Sequence, residues 1–114
     1  MPSVDFLRSF ADAWNRHDLD ALLQHMAPDG VFVSSSGARA QGTEAVRSAF
    51  AGVFEAFPDA RWTEDEHFVA GNRGVSEWTF TGTDAEDGSR VQERGCDLFT
   101  FRDGRILRKD TYLK

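Results

Sequence analysis

Asp97 is an acid on what reads as the apolar face of a strand. In Cys96-Asp97-Leu98-Phe99-Thr100-Phe101 the side chains alternate, so Asp97 shares a face with Phe99 and Phe101. A carboxylate among aromatic rings is costly unless a partner charge or a proton relieves it. The partners in reach come from the next strand, Arg105 to Leu113, through the Asp103-Gly104 turn. A two-residue hairpin of type I′ pairs Arg102 with Arg105 and sets Asp97 opposite Asp110, two carboxylates sharing one site. A three-residue loop with a left-handed Gly104 pairs Phe101 with Arg105 and sets Asp97 opposite Lys109, a charge pair. A one-residue slip turns the whole last strand over. The chemistry of an Asp97–Lys109 couple is proton transfer or anchoring of a polar ligand group. An ion pair inside the sheet is the structural alternative.

Other reactive side chains are scattered. His17, His25 and His67 lack the spacing of a metal-binding pair, so no metal site is expected. His17 precedes a helix cap, and His25 is expected to face solvent. Ser34-Ser35-Ser36 has no nucleophile-elbow pattern and reads as a strand end, with Ser34 a hydrogen-bonding group for a pocket. Gly37 to Gly42 contains neither a phosphate-binding lysine nor a dinucleotide glycine pattern, which leaves no cofactor to expect. Cys96 alternates with Asp97 and faces the other way. In Glu77-Trp78-Thr79-Phe80 one face carries Glu77 and the other Trp78, and which one turns inward is open. An inward Glu77 would be a second acid beside Asp97.

These residues need elements to hold them. Ser3 caps a first helix with Phe6, Leu7, Phe10, Ala13 and Trp14 on one face. Asp18 caps a second, with Leu19, Leu22, Leu23 and Met26, which Pro28-Asp29-Gly30 stops. Thr43 caps a third, with Val46, Ala49, Phe50, Val53, Phe54 and Phe57, which Pro58 ends. A short strand, Val31 to Ser35, falls between the second and third helices. Four antiparallel strands follow: Arg61 to Val69, Val75 to Thr83 after an Asn72-Arg73-Gly74 turn, Arg90 to Arg102, and Arg105 to Leu113. Helices first and a meander after predict an α+β fold, helices packed on one face of a curved sheet.

The chain has 114 residues, 40% of them hydrophobic, with ten Phe and three Trp. That is the size and composition of a single globular domain, residues 1–114. A net charge of −6 argues against nucleic acid and anionic membranes as partners. One cysteine allows no internal disulfide. The first residues lack a signal-peptide pattern and no run reaches membrane-spanning length, so a cytoplasmic location is expected.

The segments Phe10 to Asp18, Gly42 to Val46 and Asp97 to Ile106 together resemble the nuclear-transport-factor-2-like superfamily, in its SnoaL-like and ketosteroid-isomerase-like branch. The resemblance spans nearly the whole chain. It implies a cone of curved antiparallel sheet around three N-terminal helices, an interior pocket and a homodimer. It puts Asp97 where ketosteroid isomerase keeps a protonated Asp. The partner tyrosine falls on Phe10, and the catalytic base falls at or near Ser34. Steroid isomerisation is therefore not expected. SnoaL-like cyclases carry a His and an Asp on the last strand, where this chain has Lys109 and Thr111. The resemblance also sets Lys109, Thr111 and Leu113 on the cavity side, which favours the Asp97–Lys109 register. The expected cavity wall is Phe10, Trp14, Ser34, Phe50, Phe54, Trp62, Trp78 and Phe99. Three functions fit: a cofactor-free isomerase, cyclase or lyase acting through Asp97 and Lys109 on a small apolar molecule; a non-catalytic binder of such a molecule; or a structural dimer with a filled pocket.

Overall fold

In the computed structural model, which describes residues 2–114, three helices and six strands are found among the described residues. Helix α1 (Val4–Asn15) is capped by the Ser3 hydroxyl and buries Leu7, Phe10, Ala13 and Trp14. Helix α2 (Leu19–His25) is capped by Asp18. Strand β1 (Met26–Val33) follows at once, then β2 (Arg39–Gln41), helix α3 (Thr43–Ala56), and the meander β3 (Arg61–Ala70), β4 (Arg73–Thr83), β5 (Arg90–Arg102) and β6 (Arg105–Leu113). The sheet is curved and unclosed, in the order β2-β1-β6-β5-β4-β3. Every pairing is antiparallel except β1 with β6, which is parallel. The helices pack on the inner face of the sheet through Leu7, Phe10, Trp14, Val46 and Phe50.

Several boundaries differ from the sequence expectation. Pro28-Asp29-Gly30 does not stop α2. It lies inside β1, where pairing with β6 is interrupted between Met26 and Val31, so the strand starts earlier than Val31. Met26 is the first residue of that strand, not the end of the helical stripe, and is buried all the same. The cap of α3 is Gly42, and Thr43 is already helical. The β3–β4 turn falls on Gly71 and Asn72. The Asn15-Arg16-His17 joint has a clamping job. The Asn15 amide donates to the Trp62 carbonyl and accepts from the Trp62 N–H, at 2.9 and 2.8 Å. His17 donates to the Ala60 carbonyl and stacks on Phe54. The end of α1 is thus tied to the start of β3.

Two β-bulges set which side chains face inward. Asp103 and Gly104 both have positive φ, 52° and 79°, the two-residue type I′ turn, and Arg102 pairs with Arg105. Two residues later Leu107 has no partner on β5, and the register shifts by one. Asp97 therefore faces neither Lys109 nor Asp110 directly. It faces Thr111, with Lys109 beside it opposite Phe99. The second bulge is in β3, where Glu64 (φ 53°) and Asp65 together oppose Trp78. It changes the phase of the strand, so that Trp62, Asp65 and His67 all reach the interior. Without Leu107 the last strand would turn Lys109 and Thr111 to the outer face and strand Asp97. Deleting Leu107 is expected to cost on the order of 3–5 kcal/mol of stability. Urea unfolding measures it, and a cost below about 1 kcal/mol would refute the role given to the bulge.

Candidate functional site

The inner face of β4, β5 and β6 lines a cavity of about 210 Å³ roofed by α1. That is below the roughly 300–1,000 Å³ of drug-sized sites, so the space suits a compact molecule. Most of the wall is apolar: Leu7, Phe10, Trp14, Phe32, Phe80 and Phe99. Asp97 and Lys109 are 6% and 5% exposed at its floor.

Three donors converge on Asp97. Lys109 Nζ lies 3.0 Å from Oδ1, and the Thr111 hydroxyl donates to the same oxygen at 2.6 Å. The Trp78 indole N–H donates to Oδ2 at 3.0 Å. Lys109 also donates to Thr111 Oγ1 at 2.8 Å, which closes a triangle. Lysine ammonium and indole N–H can only donate, so Asp97 is used as an acceptor on both oxygens, the pattern of a carboxylate and not of a protonated acid. The ammonium is further held over aromatic faces, 4.5 Å from the Phe32 ring centre and 5.2 Å from that of Trp14. Burial of both charges is therefore compensated by hydrogen bonds and by ring faces.

The Trp78 contact depends on Gly95, its neighbour across β4–β5. A methyl group on Gly95 would sit 2.7 Å from the indole ring and 2.5 Å from the Tyr112 carbonyl oxygen. Only a bare α-carbon lets the indole lie across β5 and reach Asp97. Sequence reasoning missed Gly95, and an isolated glycine inside a strand was the available signal.

Of the expected wall residues, Phe10, Trp14, Ser34, Trp62, Trp78 and Phe99 line the cavity. Phe50 and Phe54 do not. Both stand behind Trp14, with ring centres 4.6 and 5.4 Å from its indole, because helical spacing places them on the layer beneath it. Ser34 lies just past β1 at the mouth, where its hydroxyl bonds that of Ser36 at 2.8 Å. Glu77 points to the outer face, opposite Cys96. Burial and the nearby charges of Asp97 and Glu77 push the Cys96 thiol up. His25 is half-buried instead of facing solvent, bonded to the Ala21 carbonyl and packed on Phe6 and Phe10. Asp65, His67 and Ser76 are wall residues that the alternation of β3 concealed, since the bulge at Glu64 has no sequence signature.

Lys109→Met leaves the Asp97 carboxylate buried with neutral donors only. It is expected to cost about 3–5 kcal/mol, while Lys109→Met combined with Asp97→Asn recovers a large share, as a compensated pair should. Equilibrium unfolding of the three variants measures the coupling, and strictly additive costs would dissolve the pair.

The SnoaL-like domain family matches this chain over residues 7–109. No curated protein matches it in sequence. Among solved structures, a hypothetical protein with a ketosteroid-isomerase-like fold from Catenulispora acidiphila, in complex with trimethylamine, superposes with a TM-score of 0.87 at 20% identity, over 97% of this chain and 86% of that one. A candidate polyketide cyclase from Xanthomonas campestris pv. campestris gives 0.87 at 24% identity, over 96% and 88%. A second candidate polyketide cyclase, from Pseudomonas putida, gives 0.90 at 19% identity, over 100% and 92%. These likenesses establish the fold, and the family match covers nearly the whole of it, site included: the chain belongs to the SnoaL-like domain family, within the nuclear-transport-factor-2-like fold.

Proposed function

We propose that this protein encloses a compact, mostly apolar small molecule and performs cofactor-free acid–base chemistry on it, of the isomerase, cyclase or lyase kind. The observation that carries the reading is the Asp97–Lys109 pair, buried in the wall of an otherwise apolar cavity. Ion pairs that serve stability alone are easily replaced by apolar residues, whereas a charged couple beside an enclosed space can act on what enters it. In this reading Lys109 stabilises charge developing on a substrate oxygen, and Asp97 holds the ammonium in place and balances its charge. Trp14 adds support, because its indole nitrogen is buried without a hydrogen-bond partner and an oxygen of a bound molecule would satisfy it. A homodimer formed through the outer face of the sheet, where Phe68 and Tyr112 are exposed, belongs to the same reading. Light scattering at twice the chain mass is the result expected for it.

The second reading, a binder without catalysis, is favoured by one observation: Asp97 is already engaged by three donors. Deuterium exchange separates the two. With β-tetralone in heavy water, the protein is expected to accelerate exchange at the carbon beside the carbonyl, followed by proton NMR. Asp97→Asn should lower that acceleration about 100-fold. Saturable binding with no acceleration selects the binder, and no binding of compact ketones at all defeats both readings.

A further inference from the structure

A second polar cluster lines the same cavity and stands apart from the Asp97–Lys109 triangle. Ser76 lies across the sheet from Asp97 on one side and from His67 on the other. Its hydroxyl is 2.7 Å from His67 Nδ1, and His67 Nε2 is 2.8 Å from Asp65 Oδ2. Ser76 is buried. The imidazole is only 3% exposed, while the Asp65 carboxylate is 38% exposed. The chain of contacts therefore runs from the cavity to solvent.

Donor and acceptor counting fixes the direction of these bonds. The Asp65 carboxylate only accepts, so the hydrogen of the neutral imidazole sits on Nε2. Nδ1 then offers a lone pair, and Ser76 donates its O–H to it. The lone pairs of Ser76 Oγ are left for the cavity. Asp97 has its acceptor sites filled by three donors, so the cavity's open acceptor is the serine and not the aspartate.

We propose that Asp65, His67 and Ser76 form a second functional site, a proton-accepting relay for the hydroxyl or enol of a compact aromatic or alicyclic molecule. It rests on the acid–base reading above and supplies its base, opposite the cation of Lys109. The substrate O–H bond breaks and its electron pair stays on the substrate oxygen, giving a phenolate or enolate. The proton bonds to Ser76 Oγ as the serine's own hydrogen passes to His67 Nδ1. Serine ends neutral, and the imidazolium keeps its Nε2–H on the Asp65 carboxylate. Ser76 is the catalytic residue; His67 and Asp65 are positioning residues that act through it. The charged groups lining the cavity around the relay are Asp65 on β3, Asp97 on β5 and Lys109 on β6. Helix α1 contributes only Leu7, Phe10, Ala11 and Trp14, and the segment after β1 only Ser34 and Ser35. The bulge at Glu64 aims the relay inward, which gives that irregularity a purpose.

Para-nitrophenol tests this, because its absorption reports its ionisation, and para-nitroanisole is the same molecule without the proton. On binding to the wild-type protein the phenolate-to-phenol ratio should rise about tenfold over free solution across the neutral pH range. Ser76→Ala and His67→Asn should lose that rise while still binding para-nitroanisole, which reports an intact cavity. The asparagine oxygen can accept the serine hydrogen in place of Nδ1 but cannot take up the proton. Nitrogen-15 spectra of the imidazole should show the Nε2–H tautomer. The relay is overturned by variants that ionise the phenol as the wild type does, by wild-type protein that binds the ether yet leaves the phenol neutral, or by an Nδ1–H tautomer. Failure of both probes to bind overturns the enclosed-molecule reading itself, and the relay with it.

Discussion

The constraint on which the rest of this structure depends is the burial of one charge. Asp97 lies inside an aromatic core, and a carboxylate there is tolerable only if donors reach it from several directions at once. Lys109 and Thr111 come from β6, on one side of Asp97, and Trp78 from β4, on the other. Each has a requirement of its own. The β6 donors need the shift at Leu107 to face inward, and the indole needs Gly95 to lie flat. Lys109 in turn needs the ring faces of Phe32 and Trp14, which come from β1 and α1. A single unfavourable burial thus specifies details on five elements. Such specificity is a better account of the pair than net stability, which buried ion pairs seldom provide.

Much of the fold could be read from the sequence because its signals are local. The stripe of Leu7, Phe10 and Trp14 has helical period, and the alternation of Asp97, Phe99 and Phe101 has the period of a strand. The inward direction of Asp97 followed from those neighbours alone. The parallel pairing of β1 with β6 was not legible, since it joins residues more than seventy positions apart and leaves no pattern in either segment. The direct partner of Asp97 was not legible either. The Asp103-Gly104 dipeptide fixes the turn, but nothing in Ile106-Leu107-Arg108 marks the residue that drops out of the ladder. Lys109 was nonetheless placed on the correct face, because a shift of two residues preserves alternation. His67 was lost for the same kind of reason, as the phase of β3 changes at Glu64.

The two bulges share a role. Each lies at a point where strict alternation would carry polar groups to the outer surface, and each turns them toward one enclosed volume. Regular pleating makes the sheet stable, and two local departures from it make the interior chemically unlike a simple core. The polar groups gathered there are of two kinds. The Asp97 cluster is closed on itself, with its donors and acceptors matched internally. The Ser76 cluster is open at one end to the cavity and at the other to solvent.

The flat seat of Trp78 on Gly95 has an evolutionary consequence. The indole forms part of the cavity wall, and the bare backbone beneath it sets how deep that wall can lie. A lineage that replaced Gly95 with any larger residue would have to give up the tryptophan or lift it into the cavity, shrinking the space and withdrawing a donor from Asp97. Positions 78 and 95 are therefore bound to drift together, and the volume available to a guest is inherited through a residue that has no side chain.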